Sequence, residues 1–263
     1  MSENILDTII NYKRQEVQKA KASVSTKDLE RSPYYSRDIL SLKRYLLDAS
    51  RTGIIAEFKR KSPSKGIFNA AARPEIIARA YTESGASGLS ILTDEFFFAG
   101  SKEDLMAARA NTIPILRKDF IIDEYQLIEA RSIGADVILL IAACLTPAEV
   151  KSLAAFAKNL GLEVLLEIHN EDELVHLCDE IDLVGINNRD LKTFTVDVDR
   201  SIQLSKSIPI DKIKISESGI SDVATIILLK EHGFKGFLMG ETFMKEQDPG
   251  IAFARFVHQL KSG

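Results

Sequence analysis

The chain is poor in residues that announce a specialised chemistry. It holds only two cysteines, Cys144 and Cys178, in no CxxC spacing, which leaves neither a disulfide framework nor a thiolate metal cage. His169 and His176 form no HxxH or HxxxH pair, so a histidine metal site has little support and His169 reads as a turn residue. No apolar run reaches ~18 residues and no segment resembles a signal peptide, which argues against a membrane span and a secretory leader. A reducing cytoplasm is the expected location. Neither a dinucleotide fingerprint nor a P-loop occurs. Positive charge is not in excess either: Lys+Arg 34 against Asp+Glu 38 gives a formal net charge of -4, with no general attraction for nucleic acid or anionic membrane.

What is present is a regular beat. Short apolar runs begin near Ile54, Gly88, Pro114, Asp136, Leu162, Asp182, Ile213 and Gly236, and helical patterns separate them. Pro74 and Pro147 stand where a helix would begin, and Gly85, Gly134, Gly161 and Gly233 where one would stop. No linker or low-complexity tract interrupts the series. Eight strand-then-helix units over residues 54–263 predict an α/β chain, a parallel (β/α)₈ TIM barrel, with residues 1–263 making one domain. Residues 1–53 precede the eight units as a helical extension. Ile5, Ile9, Tyr12 and Val17 mark one amphipathic helix, Ser32-Pro33 breaks it, and Leu40–Leu47 suggests a second, which could close the barrel's bottom or shield its mouth.

Chemistry in such a barrel is expected at the C-terminal ends of the strands. In the run Ile54–Phe58, alternation puts Ile55, Glu57 and Lys59 on one side and Ala56 and Phe58 on the other. The later strand ends supply Lys118, Glu167, Asn187 and Arg189. Each charge alone reads as a solvated loop or structural ion pair, but their convergence on one rim reads as a site. The seventh and eighth runs end at Gly219 and Gly240, each leading toward a helix, where backbone can approach an anion. Phe96, Phe97 and Phe98 follow the second run, either as a lid over an apolar ligand or as packing for the extension.

The order Ile55-Ala56-Glu57-Phe58-Lys59-Arg60-Lys61-Ser62-Pro63-Ser64, Leu92-Thr93-Asp94, Leu116-Arg117-Lys118-Asp119-Phe120, Glu167-Ile168-His169-Asn170, Gly185-Ile186-Asn187-Asn188-Arg189-Asp190-Leu191 and Ser216-Glu217-Ser218-Gly219-Ile220 closely resembles the indole-3-glycerol phosphate synthases. The likeness runs over nearly the whole chain and includes the extension. It implies closure of 1-(2-carboxyphenylamino)-1-deoxyribulose 5-phosphate to indole-3-glycerol phosphate in tryptophan biosynthesis, with loss of carbon dioxide and water and no cofactor. By the same resemblance Lys118 is the general acid and Glu167 the base of the dehydration. Lys59 binds the substrate carboxylate, and Glu57 orients the lysines.

Asn187, Arg189 and Ser218 hold the glycerol part in that reading, and Phe96, Phe120 and Phe97 line the slot for the aromatic ring. Lys61, Ser62, Gly219, Gly240 and Glu241 fall where the family binds phosphate. Glu241 departs from a serine common there, so its carboxylate must turn away from the phosphate. A cation such as Lys59 is expected to lower the pKa of Lys118, and the loop from Arg60 to Gly66 is a candidate gate. The expected partner is a phosphorylated small molecule, with neither nucleic acid nor membrane. Other enzymes of the pathway are candidate partners, and a monomer is favoured. The chain ends at Gly263 soon after one barrel, so a synthase without a fused isomerase is expected. Another ribulose-phosphate barrel such as phosphoribosylanthranilate isomerase shares the glycine phosphate site, but is not expected to carry Glu57 and Lys59 with Lys118 and Glu167. A catalytically silent barrel subunit would be expected to have lost some of these charges.

Overall fold

β-Branched and leucine-rich runs make the strands, and the regularity of their spacing closes them into a ring. The computed structural model describes residues 5–63, 65–190 and 195–262; Ser64 and Leu191, part of the motifs quoted above, lie outside the described residues. The barrel strands are β1 (Ile54–Phe58), β2 (Gly88–Leu92), β3 (Ile115–Lys118), β4 (Val137–Ile141), β5 (Glu163–Ile168), β6 (Leu183–Asn187), β7 (Ile213–Glu217) and β8 (Gly236–Met239). They form a closed barrel in sequence order, every pairing parallel, with β1 joined to both β2 and β8. Each predicted run is a strand, and the first residue differs by at most one. Pro74 and Pro147 open the helices Pro74–Glu83 and Pro147–Asn159, as their fixed φ and missing N–H favour.

The period-two alternation sorts the side chains. Ile55, Leu116, Leu165, Leu183, Ile215 and Leu238 fill the barrel interior, whereas Ile54, Ala56 and Phe58 face the helical shell. Glu57 therefore continues the inward face begun by Ile55, as its spacing predicts. The same phase carries Glu167 inward after Leu165, and Glu217 inward after Ile213 and Ile215.

Three helices precede β1, one more than the sequence pattern suggests: α1 (Ile5–Ser23), α2 (Thr26–Glu30) and α3 (Leu42–Leu47). The extra turn arises because Ser25 caps the Asp28 N–H and restarts the helix before Pro33. The extension performs both tasks left open above. Leu42 and Leu46 of α3 join the interior cluster. They lie against Gly88 and Gly236, the first residues of β2 and β8, and so plug the bottom. Helix α1 lies at the opposite end, where the ammonium of its fully buried Lys13 reaches Asp94 at 3.0 Å and Asp119 at 2.9 Å. Among the described residues no helix is long and apolar enough to cross a membrane.

Candidate active site

At the C-terminal rim, carboxylates and ammonium groups meet over the last apolar layer of the barrel. Glu57 is buried at the end of β1. It pairs with Lys59 at 2.8 Å and accepts a 3.3 Å hydrogen bond from Ser90 on β2. Lys118 ends β3 and places its ammonium 3.3 Å from Glu167 Oε2 on β5. The other oxygen of Glu167 accepts a 3.0 Å hydrogen bond from Asn187 Nδ2 on β6. Asn187 Oδ1 in turn accepts the backbone N–H of Arg189 at 3.0 Å, which fixes the amide orientation.

The local field follows from these contacts. Burial by itself would drive a lysine toward its neutral form, but the carboxylates of Glu167, Glu217 and Glu57 hold Lys118 well above its ordinary range. The expectation that Lys59 would lower the pKa of Lys118 is therefore corrected: Lys59 is neutralised by Glu57, and three carboxylates govern Lys118. Glu167 is the converse case. Burial would raise its pKa, yet Lys118, His169 and Asn187 hold it below the usual carboxylate range. Glu217, buried at the end of β7, is pushed up to about 8 by burial and by the neighbouring Glu167 charge, with Lys118 opposing.

Two glycines make room for this crowding. A Cβ on Gly185 would sit 1.9 Å from Glu217 Oε1, and one on Gly240 would sit 2.8 Å from Glu57 Oε1. Both carboxylates lie across a neighbouring strand where only hydrogen fits.

The two glycine turns thought to bind phosphate differ from each other. Ser218 and Gly219 occupy consecutive left-handed conformations, φ 67° and 71°, and such turns make backbone concavities that receive anions. The helix that follows, Val223–Glu231, is already capped by the Asp222 side chain. The short helix Glu241–Met244 starts at Gly240 with no side-chain cap. Glu241 turns its carboxylate to Lys65 and, at 3.5 Å, to Arg189. Lys61 donates to the Phe96 carbonyl at 3.0 Å, and Ser62 is buried in the short hairpin after β1.

The aromatic residues divide. Phe96, 58% exposed, stacks on Tyr12 of α1 with centroids 4.7 Å apart, and Phe97 meets the same ring edge-on. Of the two readings for this cluster, packing against the extension is what these contacts display. Phe120 packs against the interior cluster, next to Phe98. The candidate gate is anchored at its base, where Arg60 forms a two-pronged ion pair with Asp104 and donates to the Ala72 and Ala99 carbonyls.

Three rim residues escaped selection from sequence. Glu217 carried a readable signal, being in phase with the inward Ile213 and Ile215. Asn188 is fully buried and ties β6 to β7, donating to Ser216 Oγ at 3.0 Å and to the Ser218 carbonyl at 2.7 Å. His169, taken for a turn residue, is buried with Nε2 3.2 Å from Glu167. The Glu167-x-His169 spacing, the same as that of Glu57 and Lys59, puts both on one face of an extended strand end and was a readable signal.

A closed parallel barrel with opposed ammonium and carboxylate groups at its C-terminal mouth defines a (β/α)₈-barrel enzyme. Solved structures agree on the fold. The tryptophan synthase subunit alpha from Legionella pneumophila superposes with a TM-score of 0.62 at 12% identity, covering 84% of this chain and 97% of that one. KGPDC from Streptococcus mutans gives 0.60 at 14% identity, covering 81% and 98%. The family model for indole-3-glycerol phosphate synthase matches residues 6–256. The indole-3-glycerol phosphate synthase of Bacteroides thetaiotaomicron is 49% identical over 98% of this chain and 99% of its own length. That of a Polaromonas species is 45% identical, with 96% and 97% covered. The chain belongs to the indole-3-glycerol phosphate synthase family.

Proposed function

We propose that this chain acts as a carbon–carbon lyase on 1-(2-carboxyphenylamino)-1-deoxyribulose 5-phosphate, and that the groups gathered at the rim divide the work as follows. Lys118 donates a proton to the ribulose carbonyl oxygen while the ring carbon that bears the carboxylate attacks the carbonyl carbon. The carboxylate leaves as carbon dioxide, and its bonding electrons return to the ring. Glu167 then accepts a proton from the carbon next to the new hydroxyl, Lys59 gives a proton to that hydroxyl, and it departs as water as the indole double bond forms. Lys59, oriented by Glu57, binds the substrate carboxylate. Asn187, Arg189 and Ser218 hold the hydroxyls, and Phe120 borders the aromatic slot.

The phosphate belongs at Gly219 and Gly240, where a left-handed backbone pair and an uncapped helix start offer N–H donors, with the Glu241 N–H, Lys61 and Ser62 beside them. The observation that carries the reading is the 3.3 Å approach of Lys118 to Glu167 inside a rim that also holds Glu57 and Lys59. An acid kept charged beside a base kept ionised is the pairing that ring closure followed by dehydration requires.

The test is fluorescence-monitored formation of indole-3-glycerol phosphate by the folded wild-type chain. Absence of product overturns the function. We also infer a single folding unit over residues 1–263, a cytoplasmic location and a monomer. One cooperative unfolding transition and a monomer mass by light scattering check the first and last of these, and fractionation of cells checks the location.

A further inference from the structure

Glu167 has two cations against it, and the chemistry above uses one. Lys118 approaches Oε2 at 3.3 Å; His169, two residues beyond Glu167, brings Nε2 to 3.2 Å from Oε1. The imidazole is itself held from behind. Its Nδ1 lies 3.3 Å from Glu173 Oε2, and the same oxygen accepts the backbone N–H of His169 at 2.7 Å. Asn170 caps the following turn and donates to Glu173 Oε1 at 3.2 Å, so Glu173 is fixed in its turn.

An imidazole set between two carboxylates favours the doubly protonated form. A neutral ring has one N–H, and one of its nitrogens would then present a lone pair to a carboxylate oxygen. Burial opposes the charge, but the contacts with Glu167 and Glu173 outweigh it and raise the imidazole pKa to about 10.

We propose that His169 is a positioning residue for the reaction: an imidazolium clamped by Glu173 that keeps Glu167 ionised after Lys118 has given up its proton. The need arises from the sequence of steps. While Lys118 is charged, two cations stabilise the Glu167 carboxylate. Once its proton passes to the substrate, Lys118 becomes neutral and only His169 remains to balance Glu167 against its neighbours. Those neighbours are specific. Glu217 from β7 and Glu57 from β1 bear on Lys118 together with Glu167, Asn187 from β6 donates to Glu167, and the Cys144 thiol after β4 feels Glu167 and Glu173. Without His169, burial would favour a protonated Glu167, which cannot accept the proton released in the dehydration.

The inference rests on the function proposed above, and its test separates the two. The pH profile of kcat, which reports groups in the substrate-bound enzyme, is measured for wild type, His169→Asn and Glu173→Gln. Removing a cation raises the pKa of Glu167, so the acid limb moves to higher pH. A displacement of about one unit, a tenfold loss of activity on that limb, is expected for His169→Asn, with a smaller displacement in the same direction for Glu173→Gln. An acid limb that stays in place while the rate falls equally at every pH overturns the proposal and leaves His169 as a structural brace. If His169→Asn does not fold, Glu173→Gln decides. If wild type makes no product, the function fails by itself, and a ¹⁵N NMR titration of His169 decides the clamp: an imidazolium persisting above pH 8 supports it, and a neutral ring at pH 7 overturns it.

Discussion

Lys118 and Glu167 face each other at 3.3 Å from β3 and β5, with β4, whose end is apolar wall, between their strands. Glu167 also has His169 Nε2 at 3.2 Å. Lys118→Ala should fold and lower kcat by ~10²- to 10⁴-fold, the usual cost of removing a positioned acid. Single-turnover fluorescence of product formation checks it, and an unchanged kcat would exclude Lys118 as the acid.

Glu217 should make stability depend on pH. Its carboxyl is raised from an ordinary 4.5 to about 8 in the folded chain, by burial and by the Glu167 charge. Between those values the folded state binds more protons than the unfolded state, so stability falls as pH rises through the window, by at most about 1.4 kcal/mol per unit. Above pH 8 the loss is complete. Glu217→Gln, which cannot ionise, should flatten this slope relative to wild type in urea unfolding between pH 5 and 9.

Gly185→Ala should disturb the same carboxylate by steric means. The new methyl group would overlap Glu217 Oε1, 1.9 Å from the Cβ position. Overpacking of this kind costs about 1–3 kcal/mol. A drop in kcat should accompany the loss of stability, because Glu217 must swing toward Lys118 or Glu167. A fully active Gly185→Ala variant would show that the rim tolerates the shift.

Lys13 ties the extension to the mouth. Its removal as Lys13→Met strands Asp94 and Asp119 without their ammonium. A broken buried pair costs about 3–5 kcal/mol, readable as a lower urea midpoint. Asp119 is drawn down to about 2, against its own burial, by Lys13 and Arg117. The stability it contributes is therefore present above its unfolded pKa and lost as pH falls toward 2.

Glu241 holds two cations at the mouth that would otherwise be free to attract the anionic substrate. Its carboxylate engages Lys65 and Arg189. Exposed pairs of this type are worth up to about 1 kcal/mol, so Glu241→Ser should lower KM by up to about fivefold, with the gain shrinking as salt rises. A raised KM would instead assign Glu241 a direct part in holding substrate.

Much of this was readable before folding, because the relevant code is short-range. Alternation placed Glu57, Lys59 and Glu167 inward, prolines opened helices, and the beat of apolar runs counted the strands. Glu217 was readable by the same alternation and was passed over beside the more conspicuous Ser218-Gly219. The approach of His169 to Glu167 was readable by that alternation too, being two residues on. Asn188 and the Glu173 side of His169 were not readable, because those partners depend on how a strand end is turned after it leaves the barrel.

The pair Glu57 and Lys59 at the end of β1 shows where the division falls. Sequence by itself determined the barrel, the inward phase of its strands and the identity of the charged groups on its rim, since hydrophobic periodicity and strand-end position are local properties. Only the tertiary structure decided how those charges pair. Lys59 goes to Glu57 and Lys118 to Glu167, which reversed the expected effect on the pKa of Lys118. A charge's behaviour is set by whatever stands within a few ångströms of it in a low-dielectric mouth, and those neighbours come from strands far apart in the chain.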